Sequence, residues 1–576
     1  MGRNQALITT DTPVLLSSYH RPNDAAICNL WVVVDCFSRL YRPSIVLIQK
    51  GYEMVSHIKT VAFEGVDVVD IDVQVQMTSG LPAFSVVGLP DKAVGESRER
   101  VRAALHAMGL ALPNKRITVN LSPADRAKEG SHYDLPIALG LLCAMDLVDQ
   151  QDLDQFYVLG ELALDGKILA AGGVLPAAIF ALANERGLIC PGQHKKEAIW
   201  SDNPHILAVT DLLSILNHFK AVQVLEFAKS SDLEQTPDGC DRDTQHHLDL
   251  RDIKGQETAK RALEVAAAGG HHLLMVGPPG SGKSMLAARL PRLLPRLKSH
   301  EILELSMILS VAGGIKEGRL TDKRPFRDPH HSATMPALIG GGSRIRPGEI
   351  SLAHLGVLFL DELPEFNRNA LEALRQPLET GRVSIARANS RCTFPARVQL
   401  VGAMNPCRCG YMADPMRACS RAPKCGEGYQ TKISGPLLDR FDLYVDVPAV
   451  KPRDLALPPS AEGSADVRSR VEAVRELQTR RLHEAGARAE IRCNADMDGD
   501  LLMKIAEPDA PGKSLLVEAA ERFGLSARAY HRVIRVARTL ADMEAKTTVG
   551  RTHIAEALSY RKQPARRPLA ALRAVG

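Results

Sequence analysis

The chain has 576 residues, of which 45% are hydrophobic, enough for several domains with ordinary cores. Its formal net charge of +5 is too small to establish nucleic-acid binding and is compatible with it. No uninterrupted apolar stretch approaches the roughly 20 residues that a membrane span needs, so we expect no membrane partner.

Residues 1–53 do not resemble a targeting segment. They include LWVVVDCF and SIVLIQ but lack a basic region leading into a small-residue cleavage site. Met54 is followed at once by a well-patterned strand, so we interpret 1–53 as an extension or a mis-assigned start. The chain has 11 cysteines, mostly scattered, which is typical of reduced thiols and predicts a cytoplasmic protein.

Residues 54–227 have the pattern of a compact α+β domain. FEGVDVVDIDVQVQM (63–77) alternates with period two and predicts one half-buried strand. FSVVGLP and KRITVNLSP predict two more strands, whereas residues 97–108 and LPIALGLLCAM predict helices. ELALDGKIL predicts a hairpin that turns at Asp165-Gly166. The polar residues 228–249 predict a linker.

A glycine-rich loop between a strand and a helix is the most informative stretch. The apolar run Leu273 to Val276 leads into the pattern G-x-x-x-x-G-K-[ST], and leucines at helical spacing follow. Glycines let backbone N–H groups surround phosphates, the lysine reaches the β- and γ-phosphates, and the serine hydroxyl contacts Mg²⁺. The predicted nucleotide-binding residues are Gly277, Pro278, Pro279, Gly280, Ser281, Gly282, Lys283 and Ser284.

A second apolar strand ends in two carboxylates. Residues 356–362, GVLFLDE, predict a buried parallel strand that closes with Asp361-Glu362. In such a pair one carboxylate holds hydrated Mg²⁺ and the other orients the attacking water. We therefore predict a Walker B motif, with Ser284 and Asp361 as Mg²⁺ ligands and Glu362 beside the water. This pattern predicts nucleotide hydrolysis rather than binding alone.

Residues 326–348, between the two Walker motifs, are rich in Gly, Pro, Arg and His and predict an irregular functional insertion. We interpret His330-His331 within it as loop polarity, because neighbouring histidines are expected to point apart.

Farther along the chain, two alternating runs on either side of 388–390 predict a β-hairpin. Its arginines are candidate DNA-phosphate contacts: Arg382, Arg387 and Arg391. VQLVGAM then predicts a buried strand ending at Asn405, whose amide is placed to sense the γ-phosphate or to position water.

Four cysteines follow within one loop: Cys407, Cys409, Cys419 and Cys425. Four thiolates can hold a structural zinc ion tetrahedrally. The spacing departs from the usual C-x₂₋₄-C pairs, so four reduced loop cysteines remain the alternative.

Arg440 follows a predicted helix and precedes a strand, where a guanidinium is suited to reach a neighbouring subunit's nucleotide. A surface pair with Asp439 is the alternative. After a Pro-rich linker at 451–466, residues 467–565 predict a helical domain. Arg528 starts its third predicted helix and is expected to fold back onto the γ-phosphate. The basic tail comprises residues 566–576.

Several phrases together resemble AAA+ ATPases of the magnesium-chelatase-like branch, and with the N-terminal domain they resemble the ComM/YifB family. These phrases are GPPGSGKS, FRDPHHSATMPALIGGG, LFLDELPEF, VGAMNPCRCG, SGPLLDRFDL and LSARAYHRVIRVARTLAD. The resemblance extends from about Met54 to Arg561. It implies a multidomain α/β fold. Its parts are a Lon-protease-like domain of the ribosomal protein S5 domain 2 type at 54–227, an AAA+ core at 250–450 and a helical lid at 467–565.

The resemblance also implies a function. It predicts a hexameric ring motor that uses ATP and Mg²⁺ and acts on single-stranded and branched DNA, promoting branch migration during natural transformation and recombination. The catalytic set it implies is Lys283, Asp361, Glu362, Asn405, Arg440 and Arg528. The alternative is a magnesium-chelatase-type motor for metal insertion or protein remodelling, without DNA dependence.

The N-terminal domain departs from Lon proteases where their chemistry lies. Those enzymes place a nucleophilic serine after a Lys-Asp/Glu-Gly stretch and a lysine base after two glycines. Here Lys128-Glu129-Gly130 leads to Ser131, with Asp134 in the nucleophile's place, and Gly172-Gly173 is followed by Val174-Leu175. A serine without a base is a poor nucleophile, so we expect a scaffold or binding surface rather than a peptidase.

Overall fold

The computed structural model describes residues 55–233, 248–342, 345–387, 390–412, 424–456, 458 and 460–561. The predicted extension 1–53, the tail 566–576 and most of the linker 228–249 therefore lie outside the described residues. Within the described ranges, no helix has the length and apolar character needed to cross a membrane.

The N-terminal domain is built on a seven-stranded mixed sheet. Its period-two pattern gives two antiparallel strands rather than the predicted single one, because Gly65 turns the chain with a φ of 79°. The strands in chain order are β1 Val55–Glu64, β2 Asp67–Thr78, β3 Ala83–Val87, β4 Arg116–Ser122, β5 Phe156–Val158, β6 Glu161–Leu162, β7 Ile168–Leu169, β8 Gly187–Pro191 and β9 Ile206–Val209. The sheet order is β3-β4-β2-β1-β5-β8-β9, and β6 and β7 form the predicted hairpin.

Helices cover this sheet. They are α1 Lys92–Ala107, α2 Asp134–Ala144, α3 Gln150–Leu153, α4 Val174–Ala183, α5 Lys195–Ile199 and α6 Leu212–Phe219. The carboxylate of Asp91 accepts the N–H of Val94 at 2.7 Å, which begins α1 earlier than the predicted residue 97. Helix α2 is buried along almost its whole length, as expected of a helix without a polar face.

The central domain contains a five-stranded parallel sheet. Its strands are β10 Leu273–Val276, β11 Phe326–Arg327, β14 Val357–Leu360, β17 Gln399–Met404 and β18 Leu443–Asp446, in the order β11-β14-β17-β10-β18. β11 lies within the segment predicted to be an irregular insertion. Two residues are too short to show a period, and the ring of Phe326 stacks on Phe359 with centroids 6.0 Å apart. This edge strand was therefore not recognisable from the sequence.

Two small hairpins and ten helices surround this sheet in the described ranges. The hairpins pair β12 Gly340–Gly341 with β13 Arg346–Pro347, and β15 Arg382–Arg387 with β16 Ser390–Pro395. The helices are α7 Glu257–Gly269, α8 Lys283–Leu293, α9 Ser299–Ala312, α10 Met335–Ile339, α11 Glu349–Leu352, α12 Arg368–Ala373, α13 Arg375–Thr380, α14 Lys424–Gln430, α15 Gly435–Leu438 and α16 Pro452–Leu455. Residues 368–380 form two helices rather than one, because the ring of Pro377 is incompatible with the carbonyl of Ala373.

The C-terminal domain is helical. Its helices are α17 Ser464–Glu484, α18 Gly499–Ala506, α19 Ala510–Phe523, α20 Ala527–Met543 and α21 Arg551–Ser559. Its first helix begins at Ser464, and the Ser464 hydroxyl accepts the N–H of Leu250 at 2.8 Å. Helix α18 was not predicted, so Arg528 starts the fourth helix rather than the third.

The N-terminal domain packs directly on α9 of the central domain. The N–H of Gly173 donates to the Ser310 carbonyl at 2.9 Å, and the N–H of Leu175 donates to the Ser310 hydroxyl at 3.2 Å. The indole N–H of Trp200 donates to the Gly318 carbonyl at 2.9 Å. The segment after the two glycines, where Lon proteases carry a lysine base, is therefore part of a domain contact.

Candidate nucleotide site

The loop between β10 and α8 has the backbone of a phosphate-binding loop. Gly280 and Gly282 have φ values of 74° and 90°, in the left-handed region that glycine adopts without strain. At Gly277 the limit is space, because a Cβ there would lie 2.1 Å from the Val447 carbonyl. The N-terminus of α8 begins directly at Lys283 and contributes partial positive charge.

Lys283 connects this loop to the end of β17. Its ammonium donates to the carbonyls of Gly277 and Pro278, both at 2.9 Å, and to Asn405 Oδ1 at 3.2 Å. Burial lowers the pKa of Lys283, while the nearby carboxylates of Asp361 and Glu362 act in the opposite direction. The structure thus brings together two predicted residues that are far apart in sequence.

The two predicted Mg²⁺ ligands also converge. The Ser284 hydroxyl donates to Asp361 Oδ2 at 2.7 Å, while Asp361 Oδ1 accepts the N–H of Glu362 at 2.8 Å. A hydroxyl and a carboxylate are oxygen ligands of the kind that Mg²⁺ binds, so this pair fits the ion.

Glu362 has a strained backbone and a reachable carboxylate. Its φ and ψ are 50° and 45°, a left-handed conformation that costs a non-glycine residue about 1 kcal/mol or more. The side chain is 52% exposed, and Oε2 lies 3.3 Å from His331 Nδ1. The rings of His330 and His331 lie 4.1 Å apart, so the expectation that they point apart was wrong. Only the structure identifies His331 as a neighbour of the carboxylates.

A cavity of 610 Å³ lies beside the phosphate-binding loop. Its lining includes Gln256, Val276, Val450 and Tyr560. The side-chain amide of Gln256 donates to the carbonyls of Ser281 at 3.3 Å and of Pro448 at 2.5 Å. Apolar walls with a few fixed polar groups are suited to a nucleobase. Gln256 was not identified as a site residue from the sequence. The signal that could have been used is the position of Gly255-Gln256 directly before α7, the helix that precedes the phosphate-binding loop.

A larger cavity of 1560 Å³ contains the two predicted catalytic arginines. A side-chain N–H of Arg440 pairs with Glu379 Oε1, and Arg528 Nη2 lies 3.8 Å from the same oxygen. Burial lowers the pKa of Arg440, which the charge of Glu379 opposes. Arg532 lies beside them and donates to Asp442 Oδ1 at 2.9 Å.

These two cavities lie at opposite ends of the parallel sheet. The larger one is lined by His272, Gly356 and Gln399, at the amino ends of β10, β14 and β17, whereas Lys283 and Asn405 follow the carboxyl ends. The six residues of β17 span about 20 Å, longer than an arginine side chain. Arg528 therefore does not fold back onto the phosphate loop of its own chain, contrary to the prediction. The Arg532–Asp442 pair holds its helix beside β18 instead.

The predicted DNA-binding hairpin has one buried and one exposed face. Val383, Cys392 and Phe394 are buried, whereas Arg382 and Arg391 are exposed. Arg382 lies at the base of the hairpin and lines the larger cavity. The side chain of Arg387 and residues 388–389 lie outside the described residues.

Three of the four predicted zinc ligands meet: the Sγ atoms of Cys407, Cys409 and Cys425 lie within 4.8 Å of one another, and Cys419 is outside the described residues.

At the segment that was compared with Lon proteases, Asp134 and Ser131 are both held by other side chains of the N-terminal domain. Asp134 is fully buried and accepts two hydrogen bonds from Arg100, at 2.6 and 3.0 Å. Burial raises the pKa of Asp134, against the lowering effect of Arg100. The Ser131 hydroxyl donates to the Glu161 carboxylate rather than to a neutral base.

The P-loop follows β10 of a five-stranded parallel sheet, and two carboxylates follow β14 of the same sheet. Together with the helical C-terminal domain, this arrangement defines a magnesium-chelatase-like AAA+ protein. Family models agree along the chain. "Magnesium chelatase, subunit ChlI" matches residues 249–455, "Subunit ChlI of Mg-chelatase" matches 73–194, and "Magnesium chelatase, subunit ChlI C-terminal" matches 461–561.

Similar proteins cover most of the chain. Competence protein ComM of Haemophilus influenzae is 43% identical over 498 residues, which are 86% of this chain and 95% of that protein. YifB of Escherichia coli is 41% identical over 509 residues, 88% of this chain and 97% of that protein. The magnesium-chelatase 38 kDa subunit of Rhodobacter capsulatus is 27% identical over 340 residues, 54% of this chain and 86% of that protein. The chain belongs to the ComM/YifB family of magnesium-chelatase-like AAA+ proteins, a family that implies ATPase activity with ATP and Mg²⁺.

Proposed function

We propose that this chain is the subunit of a hexameric, ATP-driven ring motor that moves DNA and promotes branch migration. The observation that carries the proposal is the division of the nucleotide machinery between the two ends of one sheet. Lys283 and Asp361 occupy one end, and Arg440 and Arg528 occupy the other. Neither set is complete alone, whereas subunits placed head to tail in a ring complete each other.

In the proposed mechanism, Lys283 exchanges its bonds with the loop carbonyls for bonds with the β- and γ-phosphates. Asn405 stays within reach of the same lysine and holds the attacking water or the γ-phosphate. Glu362 orients this water and accepts its proton. Ser284 and Asp361 would hold the Mg²⁺ ion, which would supply positive charge beside the phosphates.

The neighbouring subunit supplies the remaining charge. Arg440 and Arg528 are separated from their own P-loop by the length of the sheet, so both act on the nucleotide of the next subunit. A guanidinium stabilises the charge that develops during phosphoryl transfer. The cavity near Gln256 and Tyr560 receives the adenine base.

The hairpin β15–β16 is the proposed DNA contact. Its exposed Arg391, together with Arg387 near the turn, would contact phosphates without reading bases, so binding is salt-sensitive and independent of sequence. An isolated parallel bridge between Gly65 and Thr393 places the hairpin beside the N-terminal domain.

We propose that the N-terminal domain is Lon-protease-like in fold and serves as a scaffold. Its buried Asp134 and the use of Leu175 in a domain contact support the absence of peptidase activity.

A magnesium-chelatase-type motor without DNA dependence is the second candidate. It is favoured by the models for magnesium-chelatase subunits, which match both the central and the C-terminal domains. The two candidates differ in their response to nucleic acid, because only a DNA motor couples hydrolysis to a polyanion.

The test is the ATPase rate of the full chain with no DNA, with single-stranded DNA and with a four-way junction. We expect stimulation by DNA and ATP-dependent movement of the junction. In Arg391→Ala the salt dependence of single-strand binding should lose a slope of about 0.7 for each contact removed. Arg102→Ala, an exposed arginine of α1, is the matched control. Equal rates with and without DNA, and no junction movement, would reject the DNA motor and leave the second candidate.

A further inference from the structure

Three thiols meet immediately beside the nucleotide site. Cys407 and Cys409 lie in the loop that follows Asn405, and Cys425 lies in the first turn of α14. The Sγ atoms of Cys407 and Cys409 are 3.1 Å apart, and all three sulfur atoms lie within 4.8 Å of one another. Tetrahedral coordination with Zn–S bonds of 2.3 Å places sulfur atoms about 3.8 Å apart. The observed triangle therefore needs only small shifts to surround such an ion.

We prefer metal binding by these cysteines to simple packing of their thiols, because two of the three lie in a tight turn. Cys407 and Cys409 belong to a tight turn, in which the N–H of Gly410 donates to the Cys407 carbonyl at 3.0 Å. A bond between these two cysteines would leave Cys425 unused, whereas an ion engages all three sulfur atoms. In the described part of the chain, this is the one group of three His, Cys, Asp or Glu residues with metal-binding geometry.

The same turn touches the phosphate-binding loop. A Cβ on Gly410 would lie 2.4 Å from Cδ of Pro279, so the turn packs directly on the loop. On the other side, the side-chain amide of Gln430 in α14 donates to the Pro406 carbonyl at 3.1 Å. Lys432, just beyond α14, pairs with Glu365 at 3.0 Å, in the segment that follows the Walker B carboxylates.

We propose that Cys407, Cys409 and Cys425 bind a thiophilic divalent cation of the zinc class and thereby fix the turn between Asn405 and Pro279. The cysteines bind as thiolates, and each releases its proton when the ion enters. A ligand from outside this trio completes the coordination. The ion is structural: it holds α14 against the end of β17, which keeps Asn405 in reach of Lys283. This inference does not depend on the DNA motor, since any ATPase with this site would require the same support.

The experiment measures metal in the full chain purified without chelator. We expect about one Zn²⁺ per chain in the unmodified protein and in Cys190→Ala, a buried cysteine of β8 that serves as control. Cys407→Ser and Cys425→Ser should lose most of it. Co²⁺ added to the metal-free protein should give thiolate charge-transfer bands and tetrahedral d–d bands, and these bands should be weak or absent in both variants.

A second measurement separates binding from folding. The metal-free protein should bind a fluorescent ATP analogue about tenfold more weakly, and added Zn²⁺ should restore the affinity. Circular dichroism of the same samples shows whether the chain remains folded. A folded chain that contains no metal and gives no cobalt spectrum would overturn the proposal, as would Zn²⁺ retained in both serine variants.

Discussion

Arg440 and Glu379 form an ion pair at the amino ends of the parallel strands, and Arg528 lies 3.8 Å from the same carboxylate. One exposed carboxylate thus holds two arginines that cannot reach the phosphate loop of their own chain. The arrangement resembles an anion site whose anion is supplied from outside. In an assembled ring, the triphosphate of the adjacent subunit would take over this role from Glu379.

Arg440→Ala and Arg528→Ala should therefore abolish hydrolysis without abolishing nucleotide binding. We expect turnover to fall by about 10³-fold, the magnitude typical of a trans arginine, with ATP affinity changed only slightly. Steady-state hydrolysis and binding of a fluorescent ATP analogue measure the two effects separately. Arg522→Ala, an exposed arginine of α19 that does not line the cavity, should retain normal turnover.

Mixing tests whether these arginines act between subunits. If the proposed rings form, those that contain both Arg440→Ala and Glu362→Gln chains would include interfaces with an intact arginine and an intact Glu362. We expect activity to reappear at intermediate ratios. If no ratio restores hydrolysis although mixed rings form, Arg440 does not act in trans.

Replacing Lys283 and replacing Glu362 should impair different steps, nucleotide binding in the first case and hydrolysis in the second. Lys283→Ala should abolish nucleotide binding, because the ammonium is the main cation of the loop. Glu362→Gln should bind ATP and retain it without hydrolysis, because the attacking water is no longer activated. Equilibrium binding and single-turnover hydrolysis distinguish these outcomes. Unchanged turnover in either variant would contradict the assignment of the P-loop.

The parts of the site that were predictable are those in which one short segment contains both the element and its chemistry. Lys283 follows a strand and begins a helix, and Asp361 ends a wholly apolar run, so pattern and chemistry are adjacent in sequence. In the structure Ser284 contacts Asp361 and Lys283 contacts Asn405, because parallel strands bring their carboxyl ends together. Their roles in catalysis remain predictions.

The parts that were not predictable depend on packing between distant segments. Arg528 was placed on its own nucleotide because its helix was known and the orientation of that helix was not. The Arg532–Asp442 pair, which fixes that orientation, joins residues 90 apart in sequence. Gln256 and His331 lie in loops without a period, and only the folded chain places them near the site. β11 was missed because two residues carry no pattern.

The contact between the N-terminal and central domains gives a further prediction. The buried carboxylate of Glu197 accepts hydrogen bonds from the Ser310 hydroxyl, from Leu175 N–H at 3.2 Å and from His194 Nδ1 at 2.6 Å. Glu197→Ala leaves these groups without this acceptor, so we expect a loss of about 1–3 kcal/mol in the stability of the contact. Ser310→Ala should cost less, because Glu197 still accepts from Leu175.

Trp200 provides the readout, since its indole bonds Gly318 across this contact. In a Trp31→Phe background it is the remaining tryptophan of the two in the chain, and its fluorescence against urea reports separation of the domains. Ser214→Ala, on α6 away from α9, should leave the transition unchanged. A transition shifted equally by Ser214→Ala and Glu197→Ala would show that the effect is not specific to the contact.

The last prediction is a pH dependence of stability that originates at His272. The Nδ1 atom of this partly buried ring accepts the N–H of Leu400 at 3.0 Å, which requires the unprotonated form. Desolvation lowers the pKa of His272 to about 4, with His271 and Arg532 acting in the same direction and Asp442 opposing them. Because the folded chain resists protonation and the unfolded chain does not, this contribution is fully present above about pH 6.5 and is lost as the pH falls towards 4. The loss amounts to about 3 kcal/mol at most.

The substitution His272→Asn tests this dependence. Asn at this position keeps an acceptor and cannot titrate, so thermal unfolding of His272→Asn should depend less on pH in this window than that of the unmodified chain. The exposed His300 provides the control variant, His300→Asn. Parallel pH profiles for all three proteins would show that His272 is not the origin of the dependence.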